Sequence, residues 1–185
     1  MSGAMRTRWV VVCVSIAAVF ATYYSFRLAP KTISGEAFLQ LRDGRVVFAS
    51  AAEVTAFRVD SERGKKWFNY LHFDEKRREN LEMTFNAADS AQVKELRQML
   101  LYGSDFHALG DILLMPASEG GEKIEAICDA RGKFHIRLRP ASYWIVVRGR
   151  AGEVNGIWSK EIDVPDEKRI EFSEGDATFD RPITE

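Results

Sequence analysis

Cysteine is nearly absent from this chain, which has two in 185 residues, Cys13 and Cys128. Cys13 falls in an apolar stretch, so no intrachain disulfide framework can staple the fold. Cys128 reads as a small buried residue rather than a reactive thiol. Net charge is also lacking, at −1 from 26 basic and 27 acidic residues. Without a global basic field, no nucleic acid partner is expected. There is no Gly-x-Ser-x-Gly, no phosphate-cradling Gly loop and no Cys–His pair at a useful spacing. Gly120-Gly121 lies between Glu119 and Glu122, which repel phosphate, and reads as a plain loop. Internal repeats and low-complexity tracts are missing too. The composition, 46% apolar and 29% charged, fits one ordinary globular domain plus one hydrophobic segment.

That segment opens the chain. Arg6 and Arg8 precede Trp9 to Phe26, an uncharged run, and Arg27 and Lys31 follow. Eighteen apolar or weakly polar residues reach the lower range for crossing a bilayer, and Trp9, Tyr23 and Tyr24 sit near the ends, where amphipathic aromatics favour the interface. The expected organisation is a cytoplasmic N-terminus (1–8), a transmembrane signal anchor (9–27), a folded domain (28–173) and a polar tail (174–185). The domain is expected on the extracytoplasmic side of a single-pass protein of the cell membrane. Two alternatives stay open. One is a signal peptide cleaved after Val19-Phe20-Ala21, leaving a secreted or periplasmic domain; the other is a buried core helix.

The folded part is organised around residues 126–149. Phe134, Ile136 and Leu138 alternate with Lys133, His135, Arg137 and Arg139, the period-2 pattern of a strand with one wet face. Asp129-Ala130-Arg131-Gly132 puts Gly where a tight turn needs positive φ, and the pattern predicts a hairpin there. Ile124, Ala126 and Cys128 alternate in the strand before the turn, Pro140 ends the strand after it, and Tyr143-Trp144-Ile145-Val146-Val147 starts a third. Further strands are predicted at 36–41, 46–49, 53–59, 109–115, 157–164 and 168–172. Phe134, Ile136, Leu138, Tyr143, Ile145 and Val147 are the predicted core, with Cys128 nearby.

These residues resemble the repeat unit of carboxypeptidase regulatory-like (transthyretin/prealbumin-like) domains. Cys128-Asp129-Ala130-Arg131-Gly132-Lys133-Phe134 stands where that family runs Thr-Asp-x-x-Gly-x-Phe. Leu138-Arg139-Pro140-Ala141-Ser142-Tyr143 stands where it runs Leu-Pro-x-Gly-x-Tyr, with Ala141 replacing the usual Gly. Ile33 to Phe38, Val46-Val47 and Val54 to Phe57 look like its first two strands. The resemblance spans roughly 32–60 and 109–173. It implies a mainly β, Greek-key β-sandwich and says little about function, because that scaffold serves many purposes.

Residues 60–103 depart from the family pattern as a helical insertion. Asp60 to Glu82 mixes acids and bases around Trp67, Phe68, Tyr70, Leu71 and Phe73. It reads as a solvated helix with an aromatic patch, with a strand at 66–73 as the alternative. A second helix is predicted at 89–102, capped by Asp89, striped by Val93, Leu96 and Leu100, and stopped by Gly103. The two are expected to form a helical hairpin laid against the sheet. Trp67, Phe68, Tyr70 and Phe73 cannot all point inward from one helix, so the exposed remainder is the candidate partner-binding surface, with Trp67 its best single anchor. Completion of the core by all four is the competing reading.

Few residues carry a pattern that points to chemistry. His72-Phe73-Asp74-Glu75 has the His-x-x-Glu spacing of zinc ligands in metallocarboxypeptidases, with His107 or His135 as a third, yet catalytic zinc needs three converging ligands and an open position. His135 sits on the wet side of its strand. Hydroxyisourate hydrolases of the transthyretin-like group carry Tyr-Arg-Gly-Ser at their end, whereas Arg148-Gly149 here is internal. Lys65-Lys66-Trp67-Phe68 with Lys76-Arg77-Arg78 reads either as a basic–aromatic surface for anionic lipid or polysaccharide, or as a solvated face balanced by nearby Glu. Trp144 and Trp158 read as core residues before they read as a sugar platform. The sequence therefore points to a membrane-anchored, non-catalytic cell-envelope domain binding a protein or glycan. No catalytic residue, cofactor or metal is expected. The alternative is an enzyme, or an accessory subunit of a membrane complex, whose site is not readable from sequence.

Overall fold

The computed structural model describes residues 25, 28–40, 44–72, 105–164, 166 and 169–179. The strands are β1 (Lys31–Gln40), β2 (Val46–Phe48), β3 (Glu53–Arg58), β4 (Lys123–Ile127), β5 (Lys133–Leu138), β6 (Ala141–Ala151), β7 (Val154–Val164), β8 (Arg169–Phe172) and β9 (Ala177–Phe179). Between β3 and β4 lie helical residues 62–72 (α1) and 105–114 (α2) and the short α3 (Ala117–Gly120). The predicted anchor, residues 9–26, lies outside the described residues except for Ser25, and no described helix is long and apolar enough to cross a membrane. The predicted helix at 89–102 also lies outside them.

Two sheets pack face to face. In the first, β1 is the hub: β5 pairs with it from Lys31↔Leu138 to Glu36↔Lys133, β2 pairs with its far end, and β8 runs parallel to it. The second has the order β4-β3-β6-β7-β9. Ile33, Ala37 and Leu39 of β1 and Phe134, Ile136 and Leu138 of β5 face Val54, Tyr143, Ile145, Val147, Trp158 and Phe179 of the second sheet. All six predicted core residues, and Cys128, are buried. Each such Ile, Leu, Val or Phe side chain contributes on the order of 1.5–3 kcal/mol by leaving water.

Gly35 faces inward opposite Phe134, and a Cβ there would run into the Phe134 ring. The glycine is the space in which that ring lies, and the ring in turn packs at 6.2 Å, centre to centre, from Phe172.

A second core covers the other side of the second sheet. Phe57, Trp144, Val146 and Ile157 pack there against Trp67 of α1 and Phe106, Leu109 and Leu113 of α2. β6 is therefore buried on both faces, which is why Tyr143 to Val147 is continuously apolar instead of alternating. The helices run antiparallel. Arg63 near the start of α1 reaches the end of α2, while Tyr70, two turns further along α1, bonds Asp105, two turns earlier in α2.

Five expectations need correction. The residues around Asp129 form the tight turn but not a hairpin within one sheet, since β4 pairs with β3 and β5 with β1. The turn passes the chain from one sheet to the other. Residues 109–115, read as a strand, belong largely to α2, whose Phe106, Leu109 and Leu113 form a helical stripe over the sheet. Helix thus extends beyond residue 103, while residues 66–72 are helical as the main reading of that stretch expects. The first strand begins at Lys31, before the expected residue 36. The polar tail begins later than 174, because Ala177–Phe179 forms β9 on β7 and buries Phe179.

Candidate functional site

The candidate partner-binding residues separate by helical phase. On α1, Arg63, Trp67 and the half-buried Tyr70 and Leu71 lie at i, i+4, i+7 and i+8 and face the sheet. Trp67 is 0% exposed and meets Phe57 edge-on at 5.7 Å. It belongs to the second core, so the anchor role expected of Trp67 is withdrawn. Its indole N–H finds no acceptor among the described residues, nor do those of Trp144 and Trp158. These rings serve as apolar bulk, and neither Trp144 nor Trp158 is available as a sugar platform.

Phe68, one residue on, points outward and is 42% exposed. Its ring stacks on the exposed His72 at 3.9 Å, and His72 Nδ1 lies 3.0 Å from the Phe68 carbonyl oxygen. Lys65, at i−3 from Phe68, is paired at 2.6 Å with Glu62. That hydrogen bond and charge hold the Lys65 ammonium above its ordinary pKa and the Glu62 carboxyl below its own. Tyr70 is half-buried and donates its hydroxyl hydrogen to Asp105 Oδ1 at 2.9 Å. Phe73 lies outside the described residues. Of the four candidates, Phe68 alone is placed on an open surface among the described residues.

Arg63, one of the basic residues of the mixed-charge stretch expected to be solvated, is fully buried. Its Nε donates to the Ile112 carbonyl at 3.3 Å, Nη1 to Gly121 at 2.8 Å, and Nη2 to Met115. The guanidinium also lies 5.8 Å from the centre of the Phe57 ring. Burial pushes its pKa down, partly offset by Glu125. Two of these carbonyls lie in or just past the last turn of α2, where a helix leaves acceptors short of intrahelical partners, and the third lies just past α3. The four-residue spacing from Arg63 to Trp67 is the signal that places both on one face.

The outer face of the first sheet carries a different set. Ser34 and His135 are opposite one another across β1 and β5, with Ser34 Oγ 2.9 Å from His135 Nδ1. Arg169 lies 3.1 Å from Glu171 and 3.9 Å from Glu36. A Ser–His pair on an open sheet face lacks the preorganised, water-excluded setting that makes a serine nucleophilic. His135 and His72 lie on opposite sides of the molecule, one on the first sheet and one on the helix layer, so they cannot share a metal ion. Among the described residues no group of three His, Cys, Asp or Glu side chains is placed to hold one.

Neither a family model nor a curated protein matches this sequence. Among solved structures, the chain is similar to a candidate carbohydrate-binding protein of Pseudomonas aeruginosa, at 10% identity and a TM-score of 0.43, over 80% of this chain and 90% of that one. It is also similar to the pilus backbone of Streptococcus pneumoniae, at 10% identity and a TM-score of 0.28, over 77% of this chain and 41% of that one. At that identity and overlap, neither likeness says what this chain binds.

Proposed function

We propose that this chain is a single-pass, membrane-anchored protein of the cell envelope whose transthyretin-like (carboxypeptidase regulatory-like) sandwich binds a protein or glycan partner without catalysing a reaction. The observation that carries the reading is Phe68. An exposed aromatic ring stacked on an imidazole is held on a helix that Trp67 and Arg63 fix to the sheet, so contact with a partner needs little further ordering. The family assignment draws support from the Asp129–Gly132 turn and from the strand-by-strand alternation of β4, β5 and β6 between the sheets. The anchor draws support from the uncharged run Trp9 to Phe26 between basic flanks.

The test uses the full-length protein with Phe68→Ser and His72→Ala. Native thermal stability together with lost binding on a glycan array, or lost recovery of envelope partners, is the expected result. A large fall in stability would make Phe68 a packing residue, and unchanged binding would remove it from the surface; either outcome sinks the reading. Alkaline carbonate extraction tests the anchor, and a mature N-terminus at Thr22 by mass spectrometry would replace it with a cleaved signal.

A further inference from the structure

The apolar segment ends at Phe26 and β1 begins at Lys31, so residues 27–30 alone join them. Fully extended, that link spans at most about 14 Å. The sheet registers identify which part of the domain it holds near the bilayer. Lys31 pairs with Leu138, which puts the Arg139–Pro140 turn beside the first residue of β1. β6 begins there, with Ala141 opposite Val164, and β3 ends there, with Arg58 opposite Tyr143. β8, parallel to β1, starts at the same end, where Arg169 faces Ser34.

Resting on the proposed anchor, we infer that this end of the sandwich seats on anionic lipid headgroups through Arg137 and Arg139. Both side chains are exposed and have no carboxylate partner among the described residues. The other charges at this end are largely engaged with one another. Arg58 is held by Asp60 at 2.8 and 2.7 Å and Arg169 by Glu171, while Asp163 accepts a hydrogen bond from the neutral Ser142 hydroxyl and keeps its negative charge, which the seating must outweigh. Leu28, 63% exposed in the link itself, adds an apolar side chain at headgroup level. Screening at physiological salt limits that attraction to about 8 Å, less than the full reach of the link, so the arginines feel the surface charge only in the seated state and not when the domain stands off at the end of its link. Each basic residue near an anionic surface favours the seated state about fivefold, and the pair about 25-fold.

The seating fixes orientation as well as contact. The β6–β7 turn at Gly152-Glu153, at the other end of the two strands, then points away from the bilayer.

The experiment places the full chain in nanodiscs carrying a headgroup-attached quencher, with an environment-sensitive fluorophore on Thr32→Cys or Glu153→Cys in a Cys13→Ser background. Cys128 is buried and stays unlabelled in the native protein. Discs rich in phosphatidylglycerol should quench the label at 32 and spare the label at 153. Phosphatidylcholine discs, high salt, or the double variant Arg137→Ser with Arg139→Ser should each cut that quenching severalfold. Equal quenching at 32 in both lipids, or quenching indifferent to the arginines, overturns the seating while carbonate-resistant retention upholds the anchor. Release of the chain by alkaline carbonate overturns the anchor itself, and the seating with it.

Discussion

Replacing Arg63 probes the joint between the helices and the sheet. Three guanidinium nitrogens donate to three carbonyls, of Ile112, Met115 and Gly121, in a fully buried position. A hydrogen bond to a charged group contributes about 1.5–3 kcal/mol, so the gross loss on deleting all three is several kcal/mol. Burying the charge has its own desolvation cost, which Arg63→Met avoids. The net expected loss is therefore about 2–4 kcal/mol. For a chain of this length that lowers Tm by roughly 5–15 °C.

Arg63→Lys should do no better than Met. One ammonium keeps the buried charge yet cannot reach three divergent acceptors in the geometry of the planar fork. Urea denaturation followed by tryptophan fluorescence gives a spatial readout. Trp67 and Trp144 lie in the helix-side core and Trp158 between the sheets, so loss of the helix layer should red-shift emission before the sandwich unfolds. A Met variant within about 0.5 kcal/mol of native, or full rescue by Lys, would refute the argument.

Phe134→Ala should cost about 3–5 kcal/mol in urea denaturation, because the ring fills the space over Gly35 and packs near Phe172; a loss below about 1 kcal/mol would mean the site collapses around the gap. Gly132→Ala should cost about 2 kcal/mol or more by the same assay, since Gly132 has φ +70° and its added Cβ would strike the Ala37 carbonyl oxygen. Asp129 accepts hydrogen bonds from the Lys133 and Arg131 amides, which hold its carboxyl below the ordinary 3.8. The stability it contributes is full above pH about 4 and lost as pH falls through the lowered value, so acid titration of Asp129→Asn should show a shallower decline there. Burial pushes the Cys128 thiol from 9.0 up to about 11, with Asp129 adding to the shift. Its contribution is full below about pH 9 and lost as pH climbs toward 11, and Ellman's reagent at pH 8 should leave Cys128 unmodified until the protein unfolds.

The strands that bury one face were readable from their alternation, as at Phe134, Ile136 and Leu138. Sheet membership was not. Asp129 and Gly132 dictate a bend, but the edge each flanking strand joins depends on β1 and β3, far away in sequence. The α2 helix was misread because Ile112-Leu113-Leu114 looks like a strand. The spacing of Phe106, Leu109 and Leu113 carried the contrary, helical signal. β9 has three residues, too few to show any period. On α1 the aromatic cluster was visible in the sequence, but its division was not. A step of one residue turns a helix by about 100°, sending Trp67 into the core and Phe68 to the surface.

The Tyr70–Asp105 hydrogen bond, 2.9 Å long, draws together the described residues on either side of 73–104. The described residues that flank 73–104 are thus neighbours in one layer, on the side of the second sheet away from β1. Length changes between those points leave every register among the described strands untouched. The position is a splice point at which sequence can be gained, lost or replaced by a whole domain without re-threading the sandwich.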